Sequence, residues 1–144
     1  MLASFEIASA DPRVVSLNLV QPEDDPAAVR DFSLQMSMLD FLHAQYPNVR
    51  ITLHAGELTE GLVPPETLRF HIRDSVTLGH ASRIGHGAGV IYEDDPFGLL
   101  GEVASKKVLV GVALGRPALI PGASATRHPL RPCRRPGAPV RAGT

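Results

Sequence analysis

Short apolar runs alternate with amphipathic stretches along the first three quarters of the chain. Residues 14–20 (VVSLNLV) are β-branched and apolar almost throughout, the pattern of a strand covered on both faces. A polar loop, Gln21-Pro22-Glu23-Asp24-Asp25, ends that run. Asp25 suits a helix N-cap and Pro26 the first helical turn, where a missing N–H costs nothing. Val29, Phe32, Met36, Leu39 and Leu42 then recur at steps of three and four, one apolar helix face, until Tyr46-Pro47-Asn48 stops it. Residues 49–53 are the next predicted strand, running straight into His54-Ala55-Gly56-Glu57. Beyond Pro64-Pro65, the spacing of Leu68, Ile72 and Val76 predicts a second helix. Residues 83–87 read as a strand ending in glycines, Asp95-Pro96 as a helix start with Leu99, Leu100 and Val103 inward, and residues 107–112 as a fourth strand.

The predicted strands end near residues 20, 54, 86 and 112, a period of roughly 30 residues. That is the length of a βα unit, and successive units build parallel sheets or barrels. In such folds chemistry gathers on loops leaving the carboxyl ends of strands. His54 and His86 both occupy such ends and are expected on one rim, with Asn18 and Gln21 reaching it from the first strand.

Charge divides the chain differently. All 15 acidic residues lie in 1–102, whereas residues 103–144 hold eight basic residues and no acidic one. From Gly115 onward, Arg, Pro, Ala and Gly supply 21 of 30 positions, and the six prolines there forbid a long helix. A division follows: a lead-in at 1–12, a βα segment at 13–114, and a poorly ordered or degraded continuation at 115–144. The basic tail does not read as a nucleic-acid arm, because it has no aromatic residue for stacking and no known binding module. Neither a membrane-length apolar run nor a secretory leader is present, so a cytoplasmic location is the default expectation. The single cysteine, Cys133, excludes an internal disulfide and a multi-cysteine metal cage, including the His/Cys/Cys site of the zinc deaminases that act on nucleic-acid bases. Phosphate-cradling, dinucleotide-binding and nucleophile-elbow motifs are also missing.

His54 and Glu57 are the most informative pair. Neutral imidazole is a good zinc ligand, and a carboxylate three residues on can reach a metal-bound water. Gly56 permits the tight turn between them. The same residues also fit a backbone-satisfied histidine and a turn-capping glutamate. His86, between Gly85 and Gly87, suits a metal ligand, a base, or a buried strand-end histidine. His80 fits a helix-ending turn, and His43 and His71 fit solvated or partly buried helix positions. Asp94-Asp95 and Glu23-Asp24-Asp25 read best as helix caps, the latter with a weaker chance of touching substrate.

Three blocks together, VVSLNLVQPEDD (14–25), ITLHAGEL (51–58) and LGHASRIGHG (78–87), resemble the adenosine deaminase family of metal-dependent hydrolases over about residues 13–114. The resemblance implies a (β/α)8 TIM-type barrel, of which this chain is roughly the later half, with Zn2+ at the carboxyl rim and a purine nucleoside as substrate. It makes His54 a zinc ligand, Glu57 the proton donor to the purine ring nitrogen, and His86 the group that orients and activates the water. Asn18, Gln21 and Gly56 would lie against the substrate. The family's His-x-His pair of zinc ligands is not found here. Its last ligand, an aspartate, follows a Gly-x-Pro-Val stretch, and here Gly137-Ala138-Pro139-Val140 is followed by Arg-Ala-Gly-Thr. The expectation is therefore a deaminase-type fragment, inactive alone and unable to hold zinc tightly. A related adenine or modified-adenosine deaminase, and a non-catalytic remnant serving as a binding module, remain open alternatives. Oligomeric state is not legible.

Overall fold

A computed structural model describes residues 1–58, 60–113 and 140–143. Its elements in chain order are α1 (Leu2–Ala10), β1 (Leu17–Leu19), α2 (Pro26–Gln45), β2 (Ile51–Ala55), α3 (His71–Thr77), β3 (Ala81–His86), α4 (Pro96–Ser105), β4 (Leu109–Ala113) and β5 (Val140–Gly143). The strands form one sheet in the order β1-β2-β3-β4-β5, and every neighbouring pair is parallel. Among the described strands the order is sequential, as in successive βα units of a parallel α/β sheet. Among the described residues no ladder joins β5 to β1, so the described sheet is open.

Local chemistry explains the helices. The Asp25 carboxylate accepts from the amides of Ala27 and Ala28, and Pro26 opens α2. Asp95 accepts from the Gly98 amide, and Pro96 opens α4 in the same way. Both caps are those the sequence predicts. Burial selects the predicted faces: Met36, Leu39 and Leu42 of α2, Ile72 and Val76 of α3, and Leu99, Leu100 and Val103 of α4. These pack with Ile51, Leu53, Ala55, Ile84, Val110 and Val112 into one apolar cluster. Each of the Val, Leu, Ile and Met side chains among them gains roughly 1.5–3 kcal/mol on full burial.

In β2 the buried residues Ile51, Leu53 and Ala55 alternate with partly exposed Thr52 and His54. Asn18 pairs with Thr52, and Thr52 with Arg83; both Asn18 and Arg83 are exposed. One sheet face is thus covered by α2, α3 and α4, and the other carries polar groups. That second face bears His54.

Several boundaries move from their predicted places. The 1–12 lead-in contains α1, whose Phe5 is fully buried and sits against Tyr46 with ring centroids 5.8 Å apart. Leu68 belongs to a 3-10 turn at Pro65–Leu68, and α3 starts only at His71, although the predicted trio Leu68, Ile72 and Val76 is buried. β1 keeps only three residues of the run at 14–20. The predicted 115–144 tail lies outside the described residues, except at 140–143. There β5 pairs with β4 in parallel register. Among the described residues no helix is long and apolar enough to cross a membrane.

Candidate active site

Parallel register places the two rim histidines side by side. His54 pairs with Gly85, and the next step aligns Ala55 with His86, at the carboxyl ends of adjacent strands. The His54 ring lies over Gly85, where an added Cβ would meet ring atoms at 3.4–3.6 Å. His86 adopts φ +74°, the left-handed region, which turns its side chain away from the regular strand path. Its Nε2 then lies 3.1 Å from Nδ1 of His54 and 3.6 Å from Oε2 of Glu57. One of the two facing ring nitrogens must carry the proton for the first contact to be a hydrogen bond. His54, Glu57 and His86 are therefore brought together as the sequence expects.

The turn between His54 and Glu57 has a backbone requirement of its own. Gly56 sits at φ +77°, and a Cβ there would fall 2.6 Å from Cδ1 of Ile72 and 3.2 Å from the Gly89 nitrogen. Only glycine meets both demands. The Gly56 carbonyl accepts from Gly89 N–H at 2.8 Å, and the Ala55 carbonyl accepts from Gly87 N–H at 2.9 Å. The Gly56 N–H donates to Oε2 of Glu23 at 3.0 Å, and the Glu57 N–H donates to the same carboxylate at 3.1 Å. Both hydrogen-bonding groups of Gly56 are thus engaged within the protein. Three consecutive rim loops, after β1, β2 and β3, meet at this turn.

Glu23 is the participant that sequence reading undervalued. It stands beside Asp24 and Asp25, and no local pattern separates it from a helix-capping carboxylate. Burial raises its pKa to about 7, the neighbouring Glu57 charge acts in the same direction, and the backbone amides of Glu57, Gly56 and Leu58 oppose it. Glu93, which the sequence reading does not single out, accepts from the amides of Ile72 and Arg73 at the start of α3 and is likewise raised by burial to about 7.

Asn18 pairs with Thr52, two residues before His54, and so lies on the same sheet face as His54. Gln21 is exposed, and its amide donates to Oε1 of Gln35 in α2 at 3.2 Å. Gln21, Glu23, Phe32, His54, His71 and Ser75 border a cavity of about 40 Å³ between the strand ends and α2 and α3. That is room for water-sized guests, far below the ~300 Å³ at which small-molecule pockets begin. His71 is buried against Phe32 and Phe70, and burial holds its pKa below the ordinary histidine value.

A catalytic zinc site takes about three protein ligands. Here the Nδ1 atom of His54 faces a second imidazole, and no group of three His, Cys, Asp or Glu residues is arranged to hold a metal ion among the described residues. The described residues do not fit a zinc ion by themselves. No family model matches the chain, and no curated protein is significantly similar to it.

Proposed function

We propose that this chain carries the acid–base half of an adenosine deaminase-type site within a partial (β/α)8 TIM-type barrel, and that alone it does not turn over a purine nucleoside. The supporting observation is the meeting of His54, Glu57 and His86 at the carboxyl ends of neighbouring parallel strands. The sequential strand order, with α2, α3 and α4 on one face, favours a barrel segment over a doubly wound sheet.

Hydrolytic deamination adds a water oxygen to the ring carbon bearing the amino group, places a proton on the adjacent ring nitrogen, and expels ammonia. Glu57 is assigned the proton delivery and His86 the orientation of the water. Their 3.6 Å separation lets a proton held by one be felt by the other. Asn18 and Gln21 border the approach of the base. Zn2+ is assigned to His54 only in combination with ligands from outside the described residues.

The test is ammonia release and bound zinc, measured first on the chain alone. Substoichiometric zinc and no ammonia from adenosine are expected; turnover at ordinary enzyme rates, about 1–1000 per second, would overturn the half-site reading. The chain is then mixed with the amino-terminal half of a family deaminase carrying the His-x-His pair, plus zinc. Ammonia release from adenosine is expected, with adenine and N-methylated adenosine as comparison substrates. Failure with all three would favour the non-catalytic binding module.

A further inference from the structure

Glu23 makes contacts that helix capping does not explain. Asp25 already caps α2, accepting from Ala27 and Ala28. Glu23 instead reaches across from the loop after β1 to the turn after β2, and its carboxylate accepts from two consecutive amides, Gly56 and Glu57. The turn's carbonyl side is held from the opposite direction by Gly87 and Gly89. Glu23 supplies the polar counterpart on the amide side, so the backbone at Glu57 is fixed between two loops. The Glu57 carboxylate that extends from this backbone meets Nε2 of His86.

Sinking a carboxylate into this position is costly, and a neutral side-chain oxygen would satisfy the same amides at less cost. The charge gives stronger, more directional hydrogen bonds than a neutral acceptor. The benefit is geometric precision at the turn. Glu93 uses the same device on the amides of Ile72 and Arg73, but there the held amides start α3. At Glu23 the clamped amides belong to the acidic group of the site itself.

We propose that Glu23 is a positioning residue: its carboxylate fixes the Gly56-Glu57 turn and thereby sets Glu57 and His54 against His86. The functional purpose rests on the aminohydrolase reading above, whereas the clamp does not, and its test needs neither zinc nor substrate. The full-length chain is compared by NMR as wild type, Glu23→Gln and Glu23→Ala at about pH 8, above the Glu23 value of about 7. In Glu23→Ala, the amides of Gly56 and Glu57 are expected to exchange with solvent about 10- to 100-fold faster, the loss of hydrogen bonds to a charged acceptor. Amides of Leu53, Ile84 and Val110 should keep their protection. The ring nitrogen signals of His54 and His86 should shift, while those of His43 and His80 stay put. Glu23→Gln, isosteric and still an acceptor, should fold, move the Gly56 and Glu57 amide protons upfield, and restore most of the imidazole signature.

Unchanged exchange at Gly56 and Glu57 in Glu23→Ala would remove the clamp. Faster exchange with unchanged His54 and His86 signals would reduce Glu23 to a structural residue and overturn the positioning role. If Glu23→Ala does not fold, Glu23→Gln decides: amide protons that do not move upfield overturn the proposal.

Discussion

Each end of the sheet carries a pair of touching histidines, and the two pairs differ in everything except the imidazoles. At the carboxyl end, His54 and His86 project from adjacent strands, 3.1 Å apart, with the Glu57 carboxylate beside them. Before β3, at the amino end, His80 stacks on His43 with ring centroids 4.2 Å apart, and its Nε2 lies 2.7 Å from Asp40. His43 belongs to α2, and its pKa is lowered chiefly by burial and further by His80. The rim pair is assembled by three loops around a glycine turn; the other pair joins a helix to a turn. Histidine proximity is common to both ends. What distinguishes the rim is a carboxylate on a backbone fixed from both sides, facing an open polar surface.

The largest expected effect on stability breaks the rim turn directly. Gly56→Val places a β-branched side chain at φ +77° against Ile72, and it should cost about 3 kcal/mol, from left-handed strain plus overpacking. The urea midpoint measures this, and a loss below about 1 kcal/mol would show that the turn adapts.

A second expectation concerns pH and involves both buried carboxyls. Glu93 is raised to about 7 from 4.5, so between these values the native state holds a proton that the unfolded chain has released. Its contribution is full below about 4.5 and is lost as pH rises through about 7. Glu23 acts in the same direction. His71 works oppositely: kept neutral by burial, it loses stability as pH falls below 6.5, where the unfolded chain protonates. Urea midpoints of Glu93→Gln should decline less between about pH 4.5 and 7 than those of wild type. An unaltered slope would mean that Glu93 does not hold the proton.

The smallest effect lies at the amino end. Lys107 follows α4 at φ +57°, and the Val108 and Lys107 amides return to the carbonyls of Val103 and Ala104. This is the helix-ending position that favours glycine. Lys107→Gly should stabilise by about 1 kcal/mol without touching the rim, raising the urea midpoint. A lowered midpoint would show that the lysine side chain contributes more than its backbone strain costs.

Much of this organisation is legible in the amino acids. Apolar spacing marks the buried faces of α2 and α4, and Asp25-Pro26 and Asp95-Pro96 mark their starts, because these signals are local. His54, Glu57 and His86 are legible as one constellation because the βα period places them on one rim. Phe5 and α1 are not, since the polar Ser4, Glu6 and Ser9 are interspersed with apolar residues and mark no face. The start of α3 was missed because its amides are received by Glu93, about 20 residues away, and Glu23 was missed for the same reason. A carboxylate that serves a distant backbone looks, in sequence, like any cap.

The most direct measurement is ammonia release from adenosine by the chain reconstituted with a His-x-His-bearing amino-terminal half and zinc, comparing Glu57→Ala with His80→Ala. Loss of the rim carboxylate should slow release about 100- to 10,000-fold, and loss of the amino-end histidine should leave it within a few fold. Equal rates in the two variants would contradict the division between a chemical rim and a structural opposite end.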